Sequence, residues 1–219
     1  MGSSEIKERI ARRVAAEIHD GDVVNLGIGL PSLVSNYIPE DVEIVLHGEN
    51  GILGMGELEE GLESGYNVQN AGAQFIRYKP GAMFMNSAMS FVIIRGGHID
   101  ATVLGAFQVD KDGNLANWII PGGKISGMGG AMDLSVGARK VIVATTHTSK
   151  GEPKIVEKCT LPLTAIGVVD IIVTEMGVFQ KAENGLILTE RFEDHSIEEI
   201  KEHTGCEFTI AADLKVLAV

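Results

Sequence analysis

Asp20-Gly21-Asp22-Val23-Val24-Asn25-Leu26-Gly27-Ile28-Gly29-Leu30-Pro31 is the stretch that decides the fold. Its centre, Val23 to Leu26, reads as a short buried strand, closed on both sides by glycine-containing turns. Upstream, Ile6, Ile10, Val14 and Ile18 recur four apart, the spacing of one helix face, and predict an amphipathic helix from Glu5 to His19. Lys7, Glu8, Arg12, Arg13 and Glu17 fill its other faces, and Asp20-Gly21-Asp22 ends it. Downstream of Gly29, a short helical segment is expected from about Pro31 to Tyr37, then a second strand over Val42 to Leu46. Helix, strand, helix, strand in this order predicts an α/β fold.

The rest of the chain extends that pattern. Phe91 to Ile94, Thr102 to Leu104, Val141 to Ala144 and Ile171 to Thr174 are β-branched apolar runs, expected as strands covered on both faces. Asp112-Gly113 marks a turn between Ala106 to Val109 and Leu115 to Ile120. Val178 to Gln180 and Leu186 to Leu188 flank Asn184-Gly185, the signature of a hairpin with a two-residue turn. Ser196-Ile197-Glu198-Glu199 has capping-box spacing and opens a helix that Gly205 closes. Neither a biased linker nor an internal repeat interrupts the chain. The prediction is one domain over residues 1–219, with a mixed, mainly parallel sheet flanked by helices and a flexible tail at Met1 to Ser4.

Composition narrows the function classes. A chain of 219 residues can bury roughly 70% of its unfolded surface without a disulfide or metal staple. Its apolar content of 45% and charged content of 22% are those of an ordinary globular protein. Cys159 and Cys206 form no CxxC pair, so a zinc or redox motif is not indicated, and a reducing cytoplasm is the expected setting. No apolar run approaches the ~18 residues of a membrane span, and the N-terminus lacks the apolar core of a signal peptide. A net charge of −12 argues against nucleic acid as a partner. An anionic ligand would have to be held by local cations, backbone N–H groups or a partner chain.

Glu49 is the strongest candidate for chemistry. It lies in Leu46-His47-Gly48-Glu49-Asn50-Gly51-Ile52-Leu53-Gly54, where flanking glycines leave the carboxylate open to a substrate and permit a sharp corner after the strand. Asn-Gly is equally an ordinary turn pair, and Glu183-Asn184-Gly185 repeats the triplet in a predicted hairpin turn, where Glu183 is expected to be merely solvated. Three glycines within Gly127-Met128-Gly129-Gly130-Ala131-Met132-Asp133 describe either a flexible loop or an exposed backbone N–H aimed at an oxyanion. A carboxylate nucleophile and an oxyanion donor together indicate acyl transfer.

Other motifs fall short. Gly27-Ile28-Gly29 lacks the third glycine of a dinucleotide fingerprint, since position 32 is Ser32 and Pro31 interrupts it. Asp110-Lys111-Asp112-Gly113-Asn114 fails as a calcium loop at Leu115 and Pro121. Gly123-Lys124-Ile125 is not a Walker A end. The six histidines show no zinc spacing. His47, two residues before Glu49, either tunes or hydrogen-bonds that carboxylate or serves packing.

Asn25 to Pro31, Glu49 to Gly54, Ser90 to His98, Ala116-Asn117-Trp118, Gly127 to Leu134 and Cys159 to Thr164 together resemble the B (β) subunit of 3-oxoacid CoA-transferases. The similarity runs from about Ile6 to Leu214 and is strongest to the acetate/butyrate–acetoacetate type. It implies the fold shared by CoA-transferases and sugar-phosphate isomerases, with Glu49 as nucleophile. Gly130 N–H is implied in the oxyanion hole and Asn25 beside the reacting carboxylate. Asn50 is implied to hold the turn. Gly27, Gly29, Gly129 and Lys124 are the candidates to line the substrate or CoA site. Arg77 and Lys79 are further candidates for the CoA phosphates. The resemblance implies no cofactor, coenzyme A entering as substrate, and a partner A subunit in an α2β2 assembly. Two positions depart from the family pattern: His47-Gly48 replaces Gln-Ser, and Asn86-Ser87-Ala88 replaces Asp-Ser-Ala. Two alternatives stay open at this stage, an acyl-CoA hydrolase using Glu49 and a sugar-phosphate isomerase or sensor on a similar sheet.

Overall fold

The computed structural model describes residues 2–58, 68–123 and 125–218. Helix α1 (Ser3–Ala15) leads into strand β1 (Val23–Leu26), and a 3-10 helix over Pro31–Tyr37 leads into β2 (Val45–Gly48). Strands β3 (Ile52–Leu58) and β4 (Ile76–Phe84) precede α2 (Ser87–Arg95) and β5 (Ala101–Leu104). Then come β6 (Gln108–Asp110), β7 (Leu115–Ala116), α3 (Ala131–Gly137) and β8 (Lys140–Ala144). Three two-residue strands follow, β9 (Thr148–Ser149), β10 (Glu152–Pro153) and β11 (Ile155–Val156). The chain closes with β12 (Ile171–Val173), β13 (Gly177–Ala182), β14 (Gly185–Phe192), α4 (Ile197–His203) and β15 (Phe208–Leu217).

Ten strands form one sheet in the order β15-β14-β13-β12-β8-β5-β1-β2-β3-β4. The five central strands, β12 to β2, run parallel. Antiparallel pairs flank them, β2-β3-β4 on one side and β12-β13-β14 on the other, and β15 returns parallel to β14. This is the mixed sheet that the β-branched runs imply.

Period-two alternation divides the strand residues between two cores. Val24, Val103, Ile142, Ala144, Ile171, Val173 and Val178 pack on Ile10, Ala11 and Val14 of α1 and on Ile18 just beyond it. Their neighbours Leu104, Val141, Val143, Ile172 and Phe179 face the opposite side, with Leu115, Ile155 and Ile200. A smaller cluster of Ile94, Ile99 and Leu134 seats α2 and α3 side by side. The α2–α3 approach is close enough that a Cβ at Gly137 would overlap the Ile94 carbonyl.

Several boundaries differ from the sequence reading. Residues Phe91 to Ile94 are helical, not a strand. Asn86 caps α2 by accepting from Met89 N at 2.9 Å, and Ser90 and Ile94, four apart, supply its buried face. Ser3 and Ser4 belong to α1 rather than to a tail, and α1 ends at Ala15. The second strand starts at Val45 and includes Gly48, later than Val42 to Leu46. In the β13–β14 hairpin Ala182 pairs with Gly185, so the two turn residues are Glu183 and Asn184 rather than Asn184 and Gly185. Ser196 caps α4 as expected by accepting from Glu199 N, but Thr204 ends the helix, and Gly205 bridges to Val156.

Candidate functional site

The sheet order reverses at β1, whose chain continues to β2 on one side while β5 enters on the other. In open α/β sheets the crevice beyond the carboxyl ends of strands at such a switch point is where ligands bind. Gly27-Ile28-Gly29 leaves β1 there, and Glu49 is the first residue beyond β2. The second half of the glycine-rich segment is not loop, because Ala131 opens α3 with Gly130 as its N-cap.

Glu49, Asn50 and Gly51 form the three-residue turn of the β2–β3 hairpin, since Gly48 pairs with Ile52. Gly51 N–H donates to the Gly48 carbonyl at 2.9 Å, and Gly51 has φ of +118°. A side chain at Gly51 is excluded twice, by that positive φ and because its Cβ would overlap the Met85 carbonyl. Met85 N–H in turn donates to the Gly51 carbonyl at 2.9 Å. The turn is thereby stapled to the segment that enters α2.

Glu49 is half-buried, and its Oε1 accepts a hydrogen bond from Gly130 N–H at 3.1 Å. An N-cap N–H has no partner in its own helix, so this donor is available to the carboxylate. Gly130 has ordinary dihedrals (φ −84°, ψ 4°), so space and not backbone freedom requires glycine there: a Cβ would fall on Glu49 Oε2. At Gly129, with φ of +51°, a Cβ would come within 3.2 Å of Oε1. One carboxyl oxygen is thus held by a backbone donor, and both lie against a surface made of glycine.

Beneath the turn lies a buried polar row. In the parallel register Asn25 pairs with His47 on one side and Thr102 on the other, so the three side chains share a face. Asn25 Nδ2 donates to the His47 carbonyl at 3.0 Å and lies 3.3 Å from His47 Nδ1. His47 Nε2 lies 2.9 Å from Ser90 Oγ on α2, and Ser90 Oγ donates to the Gly48 carbonyl at 3.3 Å. Burial pushes the His47 pKa down from its ordinary 6.5 to about 4, so the ring is neutral near pH 7. Thr102 Oγ1 is buried without a hydrogen-bond partner among the described residues.

The other predicted site residues divide. Asn25 is spent on His47, which makes it a support for the strand that ends at Glu49. Gly27 continues the β1 ladder, its N–H donating to the Val103 carbonyl at 2.8 Å, and Gly29 takes a φ of +86° in open space. Asn50 reaches across to the Gln69 carbonyl at 2.6 Å, so it holds the neighbouring segment rather than its own turn. Lys79 Nζ contacts the Ile44 carbonyl at 3.4 Å, and Arg77 is exposed on β4. Lys124 lies outside the described residues. Ser90, Thr102 and Met85 were missed as functional neighbours, because Ser90 lay just before a run expected as a strand and the other two act across the sheet. Asn86 followed by buried Ser90 and Ile94 at helical spacing is the signal that would have found Ser90.

The coenzyme A transferase family matches residues 7–203, spanning the turn, both glycine-rich segments and the whole parallel centre. The chain belongs to the coenzyme A transferase family. It is 50% identical over 211 residues to the β subunit of acetate CoA-transferase from Escherichia coli K12, covering 96% of each chain. It is 49% identical over 212 residues to the mitochondrial succinyl-CoA:3-ketoacid coenzyme A transferase 2A of Rattus norvegicus, covering 95% of this chain and 41% of that longer one. The crystal structure of an acyl-CoA transferase apoenzyme from Escherichia coli O157:H7 superposes with a TM-score of 0.76 at 23% identity, over 97% of this chain and 43% of that one. That last likeness concerns the fold, and it is the α/β fold built from β1 outward.

Proposed function

We propose that the chain is the glutamate-bearing β subunit of a CoA-transferase that moves CoA between a short-chain acyl-CoA and a 3-oxoacid such as acetoacetate, through a glutamyl-CoA thioester on Glu49. The observation that carries this reading is the Glu49 carboxylate on a hairpin turn, with Oε1 held by Gly130 N–H at 3.1 Å against glycines that admit no side chain.

In this reading the two carboxyl oxygens do different work. Oε2 is the attacking atom: it adds to the acyl-CoA carbonyl, the C–S bond breaks, and an acyl-glutamyl anhydride and CoA thiolate result. The thiolate then adds to the glutamyl carbon, and negative charge develops on Oε1, where Gly130 N–H already donates. Collapse releases the carboxylate and leaves CoA on Glu49 as a thioester. An incoming carboxylate runs both steps in reverse, so atoms and charge balance without a cofactor. An anhydride conserves the activation of the thioester, which an ester on serine would lose.

The substrate class rests on the kinship to the acetate and succinyl-CoA:3-ketoacid enzymes. We place Asn50, Gly27, Gly29 and Gly129 along the substrate path, with Asn25 supporting the nucleophile from β1, and keep Lys124 as a candidate for the CoA phosphates on the sequence alone.

A partner A subunit, in an α2β2 assembly, completes the site. Three features favour it, and the first two are that relatives of matching length are themselves β subunits and that the rat chain carries the matched segment within a longer polypeptide. The packed helices α2 and α3 also present Met89, Val92, Met132 and Val136 to solvent, an apolar surface suited to burial against another chain. Among the described residues no helix is long and apolar enough to cross a membrane. The proposed setting is the cytoplasm, and the relatives of matching length are bacterial chains.

The test is mass spectrometry of the co-purified complex after treatment with acetoacetyl-CoA. A hydroxylamine-sensitive CoA adduct on the Glu49 peptide is the expected result, and an adduct elsewhere overturns the mechanism. Release of CoA should require added acetate or another short-chain carboxylate. Acceptor-independent release would make the protein a hydrolase instead.

A further inference from the structure

The buried row under the Glu49 turn contains an imidazole that the acyl-transfer steps do not use. His47 is almost fully enclosed, as are Asn25 and Ser90 on either side. Both ring nitrogens have partners, and the partners fix the proton. Asn25 Nδ2 can only donate, so Nδ1 accepts at 3.3 Å and Nε2 carries the hydrogen. Nε2–H then donates to Ser90 Oγ at 2.9 Å, which leaves the Ser90 hydroxyl proton for the Gly48 carbonyl at 3.3 Å. The chain of donors runs one way, from β1 through the ring to α2 and back to the peptide that joins Gly48 to Glu49. That same Gly48 carbonyl accepts Gly51 N–H and closes the turn.

We propose that His47 is a positioning residue for Glu49, clamping the Gly48–Gly51 turn to β1 through Asn25 and to α2 through Ser90. This rests on the reading of Glu49 as nucleophile. A packing role alone would need only the ring's volume, whereas the clamp needs an acceptor facing Asn25 and a donor facing Ser90. Phenylalanine supplies the volume without either group. Glutamine carries both on one amide and can replace the imidazole in function.

The experiment uses the complex with its A subunit and compares wild type with His47→Phe, His47→Gln and Ser90→Ala. The rate of CoA loading onto Glu49 from acetoacetyl-CoA, kcat, KM and the thermal midpoint are read for each. Misplacing a reacting group by an ångström can lower a rate about 100-fold. His47→Phe should therefore load about 100-fold more slowly with KM for acetoacetyl-CoA nearly unchanged. His47→Gln should recover most of that loss, and Ser90→Ala should fall about 10-fold. Should His47→Phe fail to assemble, Ser90→Ala decides, because it deletes one hydroxyl and leaves the ring in place. Loading at the wild-type rate in folded His47→Phe or in Ser90→Ala overturns the inference, as does a folded His47→Gln no faster than His47→Phe. If wild type acquires no adduct on Glu49, the functional reading fails and this inference with it. Slow loading confined to the variants supports both.

Discussion

The same three residues occur twice in this chain, both times at a hairpin turn, and only one copy is enclosed by distant backbone. Glu49-Asn50-Gly51 joins β2 to β3 in a three-residue turn, whereas Glu183 and Asn184 join β13 to β14 in two, with Gly185 already paired. Both glycines take positive φ, +118° at Gly51 and +113° at Gly185. What differs is the company each turn keeps. A Cβ on Gly185 would meet nothing within 4 Å, while one on Gly51 would collide with the Met85 carbonyl. Glu183 is exposed, whereas Glu49 is half-buried and held by a donor 81 residues away at Gly130. A turn becomes a site when distant backbone closes around it, and the triplet itself carries none of that.

Substituting the two glutamates tests this contrast most sharply. Glu49→Ala removes the proposed nucleophile and should lower transferase turnover of the complex about 10,000-fold or more. Glu183→Ala should leave turnover within about twofold, since exposed substitutions rarely exceed 0.5 kcal/mol. Comparable losses in steady-state assays of the two variants would erase the distinction between the hairpins.

Gly130→Ala sharpens it next. Alanine fits the backbone at Gly130, but its Cβ would take the place of Glu49 Oε2 and push the carboxylate off its donor. Losing one oxyanion donor lowers kcat about 100- to 1000-fold. Because no dihedral strain is introduced, the thermal midpoint should move little, and the two readouts together separate misplacement from misfolding.

The glycines themselves give the third comparison, measured by denaturant unfolding. Gly51→Ala combines left-handed strain with overlap on the Met85 carbonyl and should cost about 4 kcal/mol. Gly185→Ala carries the strain alone and should cost about 1–2 kcal/mol. Equal costs would mean that the stapling of the Glu49 turn to Met85 contributes nothing.

How much of this was legible follows from where the information resides. Val23 to Leu26 and Val141 to Ala144 were readable because a strand covered on both faces leaves a continuous apolar run. Phe91 to Ile94 is an equally apolar run and was misread. Four residues cannot show a helical period, and the cap at Asn86 and the partners of Ser90 decide it instead. Strand β4 went unseen because it is an exposed edge carrying Arg77, Lys79, Pro80 and Gly81, a composition that says turn. Glu49 stood out as an unusual carboxylate, but its twin at Glu183 has the same local letters. The chain-wide resemblance separated the two, and the Gly130 contact gives the physical reason. The departures from the family pattern also acquire meaning. Asn86 caps α2 as an aspartate would, without its charge, and the histidine at 47 occupies the centre of a hydrogen-bonded chain.

The last comparison concerns the two buried histidines, one behind each hairpin. His47 stands behind the first. His147 packs on Phe179 at the root of the second, its ring nitrogens 3.0 Å from Thr174 Oγ1 and 2.9 Å from Thr204 Oγ1. Burial lowers their pKa values to about 4 and about 3. Above pH 6.5 each ring is neutral whether folded or unfolded, so neither makes stability depend on pH. Below 6.5 the unfolded chain takes up protons that the folded chain refuses, so stability falls with pH until the folded pKa is reached. For His47 that window runs from 6.5 down to about 4, and its full share is on the order of 3 kcal/mol. His47→Gln should therefore flatten the wild-type loss of stability between pH 6.5 and 4 while leaving the decline from His147, which continues to about pH 3. An unchanged slope in that window would mean that the ring behind the Glu49 turn titrates freely, and the enclosure of the row beneath that turn would be refuted.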